Sequence, residues 1–238
     1  MDIFLSRIHA HLRSARRTRE GATQAPDQVP TGLHKEYPRM PRVELPAPRA
    51  LEITLSDALA SRRSFHRGST AEPFQEADVG TLLGLSLGVR SDGKRPYPSG
   101  GALYPVETYL VGRVIGSMPP GVFHYHPRAH ALEALWDLDS SFSTTDLTTT
   151  NGTPVGSALI VFTALWRRSS AKYGNLSYLH AIMEAGHAAQ NILLVSAALS
   201  LHARPLAGFD DMQIAGLLDL DTRAEQPLYA VLIGTRTV

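Results

Sequence analysis

The sequence predicts an α+β domain for most of this 238-residue chain. Helical patterns and strand-like runs interleave along it without the strict strand–helix–strand alternation that builds a parallel α/β sheet. The length is sufficient for a sizeable core, and the composition, 43% hydrophobic and 19% charged, is that of an ordinary globular protein. We expect the domain to occupy residues 51–238 and residues 1–50 to form an N-terminal arm.

The N-terminal arm differs from the rest of the chain in composition. Four arginines between positions 13 and 19 are followed by six prolines between positions 26 and 48. Because proline fixes φ and has no N–H to donate, we expect no regular helix or strand in residues 1–50. Such an arm either wraps a surface of the domain or contacts a partner protein or a peptide substrate.

Four helices are predicted from apolar residues that recur at helical spacing. The first begins near Ser56, whose side chain can accept hydrogen bonds from the free N–H groups of the first turn. The others span 76–87, 177–201 and 210–218. The run 187–201 is apolar almost all round, which predicts burial in the core or in an interface between two copies.

Four strands are predicted at 107–114, 122–126, 158–165 and 228–234. Between the second helix and the first strand lies the run RPYPSGGALYPVE, whose prolines and glycines are typical of a loop. The chain order therefore places one long loop directly before the sheet begins.

The composition excludes several classes of site and partner. With no cysteine, the chain has no disulfide, thiolate metal site or cysteine nucleophile. A formal net charge of +1 favours neither nucleic acid nor a membrane surface, and no segment approaches the roughly 18 apolar residues of a membrane-spanning helix. The arginines follow the short apolar start of the chain, whereas a secretory signal has its charges first. We therefore expect a cytoplasmic protein.

A set of arginines forms the first candidate site. Arg62, Arg63 and Arg67 lie close together in SRRSFHR, and Arg236 lies near the C-terminus. Because the planar guanidinium group binds phosphate through two parallel hydrogen bonds, a phosphate site is one interpretation. A solvated helix end is the other.

A glycine pair and an amide pair form two more candidates. In PSGGA, Gly100 and Gly101 allow the backbone to approach a flat ligand and point N–H groups at it, although a plain turn has the same composition. Gln190 and Asn191 lie in the long apolar helix, where an unpaired buried polar group costs about 1–3 kcal/mol. Either a ligand rich in carbonyls and ring nitrogens or a neighbouring loop backbone would satisfy them.

Lys172 and Tyr173 form an adjacent pair of titratable groups. Lysine and tyrosine side chains ordinarily titrate near pH 10, too high for a base at neutral pH, although burial brings a lysine within range; a surface pair is the alternative. The histidines show no spacing typical of a metal site. His124 and His126 alternate along a strand and could chelate, but a structural role is favoured and we expect no metal.

Taken in order, these segments resemble the SagB-type dehydrogenases, the McbC-like branch of the FMN-dependent nitroreductase superfamily. The resemblance covers about residues 52–236 and consists of RRS, PSGGALYP with a following strand, GVFHYHP, KYG, EAGHAAQN, the loop LAGFDD and a closing strand that ends in GTR. No single piece is specific, but the ordered set is. It implies a nitroreductase-like α+β fold, a central mixed β-sheet flanked by helices, assembled as an obligate homodimer with FMN between the subunits.

The resemblance also implies roles for individual residues. Lys172 and Tyr173 match the catalytic Lys-Tyr pair of such enzymes. The arginines would bind the FMN phosphate, and the glycine pair would line the isoalloxazine ring. The residues implied in FMN binding are Arg62, Arg63, Ser64, Arg67, Pro98, Ser99, Gly100, Gly101, Gln190, Asn191, Gly208 and Arg236.

The sequence departs from the family pattern after KYG. Relatives carry arginines around a tyrosine there, whereas this chain reads NLSYL with Tyr178 as the tyrosine. The departure predicts an altered substrate or a reduced activity. Since the chain has no counterpart of the N-terminal peptide-recognition domain of some relatives, we expect a partner to present any peptide substrate.

The implied function is FMN-dependent oxidation of thiazoline or oxazoline rings to thiazoles or oxazoles. The substrate would be a peptide or a carrier-bound azoline, and a cyclodehydratase or another modification enzyme would be the partner. Two alternatives stay open. An NAD(P)H-dependent nitro or quinone reductase would use the same fold and cofactor. A non-catalytic subunit would keep the fold as a scaffold of a peptide-modification complex.

Overall fold

The computed structural model describes residues 2–14, 34–66, 69–116, 118–150 and 152–236. Its helices are α1 Asp2–Ser14, α2 Leu55–Ser61, α3 Glu76–Leu87, α4 Arg167–Tyr173, α5 Leu176–Ala198 and α6 Asp211–Leu217. Its strands are β1 Arg42–Glu44, β2 Ser69–Thr70, β3 Val106–Gly112, β4 Gly121–His126, β5 Ala131–Asp137, β6 Ala158–Leu165, β7 His202–Leu206 and β8 Glu225–Arg236. None of the helices in these ranges is long and apolar enough to cross a membrane.

One sheet forms the centre of the fold, with the strand order β1-β5-β4-β3-β6-β8-β2 and with β7 also paired to β8. Its strand pairs are all antiparallel within the described ranges, which corrects the expectation of a mixed sheet. Parallel pairing is confined to isolated bridges, such as Ser64 with Ala203. The connections explain this, because β4 and β5 are joined by a short turn over residues 127–130, whereas parallel neighbours need a long crossover.

Both faces of the sheet are covered, so its central strands are buried along their whole length. β3, β4 and β6 are buried at every position. On one face, Leu83 of α3 and Ile192 of α5 belong to the larger apolar cluster, and on the other Ile214 of α6 packs with Val161. Strands buried on both faces read as continuous apolar runs, and this is why the predicted strand 158–165 coincides with β6.

The predicted elements agree with the structure where the apolar pattern is strong. α3 and β6 have the predicted bounds, and α5 and α6 lie within a few residues of theirs. The predicted cap of the first helix is wrong: Thr54, not Ser56, caps α2 by accepting the N–H of Asp57 at 3.1 Å. Outside residues 1–50, four elements were not predicted: α4, β2, β5 and β7.

The expectation of no regular structure in residues 1–50 is also wrong. α1 precedes the prolines, and the short strand β1 pairs with β5 at the edge of the sheet. A three-residue strand fits between Pro41 and Pro46, and strands at a sheet edge tolerate neighbouring prolines. Residues 15–33 lie outside the described residues, and the division of the chain into arm and domain stays a prediction.

α5 has one covered side and one open side. Ala185 and Ile192 are buried, whereas Tyr178 and Ile182 are each 43% exposed and Met183 is 53% exposed. Within the run 187–201, for which burial was predicted, His187 and Gln190 are exposed, so that burial is incomplete within a single chain. Tyr178, Ile182 and Met183 form an apolar surface, the α5 stripe, of a kind that often marks an interaction site.

Candidate functional site

The loop between α3 and β3 has an unusual backbone at its glycine pair. Gly101 has a φ of +65°, and two later residues with side chains, Ala102 and Tyr104, have φ values of +53° and +46°. Left-handed conformations cost such residues on the order of 1–3 kcal/mol each and persist only where surrounding contacts hold them. Residues 99–106, hereafter the glycine loop, therefore have a shape that the rest of the fold enforces.

Three hydrogen bonds from outside hold the glycine loop. The Tyr104 hydroxyl accepts the backbone N–H of Arg95 at 3.1 Å, and the Tyr104 carbonyl accepts a bond from the Arg168 guanidinium at 2.9 Å. The Val106 N–H donates to Glu184 Oε1 at 3.3 Å. Arg168 belongs to α4 and Glu184 to α5, so the loop depends on both helices.

Lys172 and Tyr173, at the end of α4, lie directly over Gly101. A Cβ atom at Gly101 would lie 2.6 Å from the Tyr173 hydroxyl and 2.9 Å from Lys172 Nζ, so a side chain at this position would push both groups away from the loop. The Tyr173 ring meets the His180 ring edge-on at 4.6 Å, and a Cβ at Gly100 would lie 3.0 Å from the same histidine. We call this group the Lys-Tyr cluster.

The Lys-Tyr cluster joins two motifs that are far apart in sequence. The structure brings the predicted Lys172 and Tyr173 onto the predicted Gly100 and Gly101, with His180 as a member that the sequence analysis missed. Lys172 is exposed in the single chain, so the burial considered for it is not observed there.

A buried ion pair fixes α4 against the sheet. Arg168, 5% exposed, pairs with Glu107 on β3, which is fully buried. Glu107 also bonds His124 on β4 at 3.0 Å, and His124 bonds Glu133 on β5 at 2.8 Å. Burial alone would raise the pKa of Glu107, but the His124 hydrogen bond and the Arg168 charge hold it at about 2.

His124 is the centre of this buried chain of charges. Burial alone would lower the pKa of His124, but hydrogen bonds to Glu107 and Glu133 raise it. Both ring nitrogens of His124 are therefore bonded to carboxylates. His126 takes no part in this chain of charges through Nδ1, which accepts the N–H of Ala129 at 3.0 Å. Over the described ranges, no group of three His, Asp or Glu residues is placed to hold a metal ion.

Glu184 is a buried carboxyl group beneath the glycine loop, 1% exposed. Its Oε1 accepts the Val106 N–H, the Ser99 hydroxyl lies beside the carboxyl, and Oε2 makes no hydrogen bond of ordinary length to any described residue. Burial raises the pKa of Glu184 to about 7, while Ser99, the Val106 N–H and the charges of Arg95 and Arg168 limit the rise. Glu184 therefore changes its charge near neutral pH.

Arg63 and Arg236 line a cavity of about 280 Å³, the arginine cavity, between α2, α5, β7 and the end of β8. Arg63 Nη1 donates to the carbonyls of Ala60 at 2.7 Å and of Arg62 at 2.8 Å, which directs its guanidinium. No acidic residue is found among the described residues that line this cavity. Two exposed arginines on one small cavity give it the charge of an anion site.

The arginine cavity and the Lys-Tyr cluster lie at different ends of α5. His180, in the second turn of the helix, belongs to the cluster, whereas Leu193 and Ala197 line the cavity. At about 1.5 Å per residue, His180 and Leu193 are roughly 20 Å apart along the helix axis. One chain therefore keeps the two predicted parts of the site apart.

The two amides of α5 have different surroundings. Asn191 Nδ2 donates to the carbonyls of Ser86 and Pro96, both at 3.3 Å, so a loop backbone is the partner that it uses. Gln190 is exposed, and the expectation that it is buried is wrong for the single chain. The reason is that Gln190 lies on the open side of the helix.

The other predicted residues lie in four places. Pro98 and Ser99 line a cavity of about 370 Å³ beside the glycine loop. Arg62 ends α2, and the Ser64 backbone bridges to β7 beside the arginine cavity. Gly208 follows β7, where its carbonyl accepts the N–H of Thr149 at 3.0 Å. Arg67 lies outside the described residues.

The sequence analysis missed Glu107, Arg168 and Glu184 as parts of this site. A signal existed for two of them, because a charged residue inside a buried apolar run is rarely left without a partner. Glu107 interrupts the apolar strand β3, and Glu184 lies in the apolar helix α5. No comparable pattern marks Arg168, which follows Trp166-Arg167 at the start of a short polar helix.

A family model described as "Nitroreductase family" matches residues 59–235, a span that contains the Lys-Tyr cluster and, apart from Arg236, the arginine cavity. The chain belongs to the nitroreductase family. Its sheet, its flanking helices and the order of its motifs agree with that membership.

Three curated proteins are similar to this nitroreductase-family chain. "Putative nitroreductase MJ1384" of Methanocaldococcus jannaschii is 27% identical over 82% of this chain and 97% of its own length. The microcin B17-processing protein McbC of Escherichia coli is 32% identical over 59% of this chain and 54% of its own length. The trifolitoxin-processing protein TfxB of Rhizobium leguminosarum bv. trifolii is 26% identical over 87% of this chain and 60% of its own length. The chain thus spans little more than half of either peptide-processing relative.

Solved structures give the same fold. A "putative nitroreductase" from Ralstonia eutropha JMP134 superposes with a TM-score of 0.70 at 24% identity, over 83% of this chain and 90% of that one. A chain of the E. coli microcin synthetase McbBCD complex with truncated pro-MccB17 bound has a TM-score of 0.62 at 21% identity, over 98% and 91% of the two chains. At these identities the likeness supports the nitroreductase-like fold alone.

Glu184 generates a prediction about stability. Its pKa is raised in the folded state, so the folded wild type holds a proton that the unfolded chain releases, and stability falls as pH rises from about 4.5 to about 7. Glu184→Gln removes that loss. As pH rises through this window, we expect Glu184→Gln to become more stable relative to wild type. The change in the difference between their free energies of unfolding should be on the order of 3 kcal/mol at most.

Urea unfolding at pH 5 and pH 8 measures this difference. Glu52→Gln, at an exposed position on the loop before α2, is the matched control and should follow wild type at both pH values. Parallel behaviour of Glu184→Gln and wild type would show that Glu184 does not titrate in this window.

Proposed function

We propose that this chain is an FMN-dependent dehydrogenase that oxidises thiazoline or oxazoline rings to thiazoles or oxazoles in a peptide natural product. The observation that carries the proposal is the placement of Lys172 and Tyr173 over Gly101. Membership of the nitroreductase family supports a flavin cofactor. Similarity to two proteins named for processing peptides, McbC and TfxB, supports the substrate class.

The residues present fit FMN at two points. Because Gly101 has no side chain, the Lys172 amine and the Tyr173 hydroxyl lie against the loop, where both would meet a flat ring bound on it. Arg63 and Arg236 supply a cationic cavity for a phosphate. In this proposal Ser99 and Gly100 contact the ring side, while Arg62 and Ser64 support the arginine cavity. When bound, FMN supplies an acceptor for the hydride that an azoline ring loses.

The chain itself must accept a proton. Conversion of an azoline to an azole removes one hydride and, from the neighbouring carbon, one proton, so an acceptor is needed beside the ring. Lys172 Nζ and the Tyr173 hydroxyl both reach the same side of Gly101 and are the two candidates. Arg168 holds α4 and the glycine loop together, which keeps this pair in place over the cradle.

We further propose that the working unit is a homodimer. Within one chain the Lys-Tyr cluster and the arginine cavity are roughly 20 Å apart along α5, and the α5 stripe leaves Ile182 and Met183 uncovered. Pairing of two copies through this stripe would cover it, and we assign the FMN site to the interface, with the glycine loop from one copy and the arginine cavity from the other. A peptide substrate would be presented by a modification partner such as a cyclodehydratase, which the likeness to a chain of the McbBCD complex supports.

A second candidate is an NAD(P)H-dependent nitro or quinone reductase. It is favoured by the similarity to "Putative nitroreductase MJ1384", which extends over 97% of that protein, and by the exposure of Lys172. Anaerobic mixing distinguishes the two functions. Rapid bleaching of bound flavin by NAD(P)H supports the reductase, whereas bleaching only by an azoline compound supports the dehydrogenase.

The first prediction is that purified protein is yellow and releases FMN, not FAD, on acid treatment. Arg63→Ala should lower FMN retention at least tenfold, since a charge-assisted bidentate contact is stronger than a neutral hydrogen bond. Arg49→Ala removes another exposed arginine, which pairs with Asp78 and does not line the cavity, and it should retain FMN like wild type. Mass analysis and absorbance measure both. A folded protein that never takes up FMN contradicts the proposal.

The second prediction concerns turnover. Lys172→Ala and Tyr173→Phe should keep bound FMN but lose azole formation by a factor of about 10²–10⁴, the usual contribution of a general base. Lys172→Arg should not restore it, because a guanidinium stays protonated. Arg49→Ala, which removes an exposed positive charge paired with Asp78, is again the control. Mass loss of two hydrogens from an azoline peptide is the measurement, and full activity of both variants would remove the Lys-Tyr pair from the mechanism.

The third prediction tests the dimer. Ile182→Glu places a charge in the α5 stripe and should yield monomers that also lose FMN, because the proposed site takes parts from two copies. Met212→Glu makes the same change at a position on α6 that is 72% exposed and should remain a dimer. Light scattering with absorbance detection reports mass and flavin together. A wild type that is monomeric well above micromolar concentration would contradict the homodimer.

A further inference from the structure

The contacts of Ser99 leave its hydroxyl with one unassigned donor and one unassigned acceptor position. A serine hydroxyl can donate one hydrogen bond and accept two. Ser99 Oγ accepts the Tyr104 N–H at 2.9 Å, which uses one acceptor position. Glu184 Oε1 accepts the nearby Val106 N–H of the same loop at 3.3 Å, and its buried Oε2 has no hydrogen-bond partner among the described residues. The Ser99 hydroxyl and the Glu184 carboxyl therefore hold two neighbouring N–H groups of one loop, and each keeps an unused hydrogen-bonding position through which the two can bond in either direction.

We propose that Glu184 is a positioning residue that sets the direction of the Ser99 hydroxyl and thereby couples cofactor binding to pH. A protonated Glu184 donates to Ser99 Oγ, which leaves the Ser99 proton free for a ligand on the glycine loop. An ionised Glu184 accepts that proton, and Ser99 then presents only a lone pair outwards. The inference rests on the proposed function in one respect, that FMN is the ligand on this loop.

The charges around Glu184 allow both states near neutral pH. Arg95 before the glycine loop and Arg168 on α4 favour the carboxylate, and burial favours the acid. The neighbouring acid is Glu107 on β3, which is committed to its ion pair with Arg168 and its bond to His124. Tyr97, whose hydroxyl accepts a bond from Arg95, is kept neutral by burial, which raises its pKa. Of these groups, Glu184 is therefore the one whose charge changes near pH 7.

The consequence for a ligand follows from hydrogen-bond polarity. The oxidised flavin ring presents mainly acceptors, its carbonyl oxygens and ring nitrogens, to a neighbouring hydroxyl. A donating Ser99 matches them, and a Ser99 that presents a lone pair does not. One hydrogen bond of this kind changes affinity by about three- to tenfold. We therefore expect oxidised FMN to bind more weakly as pH rises through the titration of Glu184.

The first experiment needs no cofactor. Infrared difference spectra of the flavin-free protein between pH 5 and pH 9 should contain the band of a buried protonated carboxyl that disappears near pH 7 and is missing in Glu184→Gln. Because the Ser99 hydroxyl lowers the pKa of Glu184, Ser99→Ala should move that titration to higher pH. A band that titrates identically in Ser99→Ala and wild type would overturn the coupling.

The second experiment measures FMN affinity by fluorescence quenching of the flavin-free protein between pH 6.5 and pH 8.5. Wild type should lose about three- to tenfold in affinity over this range. Glu184→Gln should bind like wild type at the lower pH throughout, since its amide N–H₂ donates to Ser99 and its oxygen still accepts the Val106 N–H. Ser99→Ala should bind weakly at every pH. Glu52→Gln is the control, and ionisation of the FMN phosphate affects all variants alike.

The two experiments separate the possible failures. If FMN affinity fell with pH in parallel for wild type and Glu184→Gln, the proposed role of Glu184 would be wrong. The proposed FMN site would be unaffected by that result. An infrared shift in Ser99→Ala combined with no FMN binding by any variant would leave the Glu184–Ser99 contact standing. That result would overturn both its link to the cofactor and the proposed function.

Discussion

The buried ion pair between Glu107 and Arg168 is the contact on which the arrangement of the site depends. It ties the first turn of α4 to β3, and the same guanidinium binds the carbonyl of Tyr104 in the glycine loop. One side chain thus fixes both the helix that carries Lys172 and the loop that carries Gly101. Desolvation offsets much of the attraction in such a pair, so its main contribution is geometric: it defines one relative position of two segments.

The ion pair belongs to a polar layer that crosses the sheet. His124 and Glu133 continue it across β4 and β5. On the other side, Lys35 donates its backbone N–H to Glu107 and its amine to Glu225 of β8, the latter at 2.7 Å. A shift of register by one residue would unpair these buried charges, whereas the apolar side chains of strands covered on both faces would stay buried. The polar layer therefore specifies strand alignment more strictly than the apolar clusters do.

Much of the fold could be predicted from the sequence, and the parts that could not share one property. α3 and β6 follow from apolar periodicity alone. α4, with the sequence RRSSAKY, has no apolar face to detect, and its position depends on the distant Glu107. β7 contains Pro205 and charged neighbours, which argue locally against a strand, yet it pairs with β8. Elements held by tertiary contacts leave little local signal.

The same distinction applies to the site. The order of the motifs was enough to select Lys172, Gly101 and Arg63, but not to show that the first two touch while the third lies at the other end of α5. Gln190 was placed inside because its neighbours are apolar, and only the helix orientation shows that it faces outwards. The role of Glu184 in the site follows from its burial. Burial depends on the segments that pack around a residue, so the sequence alone did not show it.

The left-handed residues of the glycine loop bear on how quickly a ligand can dock. Ala102 and Tyr104 adopt positive φ values under constraint from Arg95, Arg168 and Glu184, all of them residues of this chain. Their ordering is thus completed during folding, and association does not wait for the backbone to rearrange. Little conformational entropy remains to be lost on contact. The encounter at this loop then resembles a rigid-body collision, whose frequency is set by diffusion and orientation.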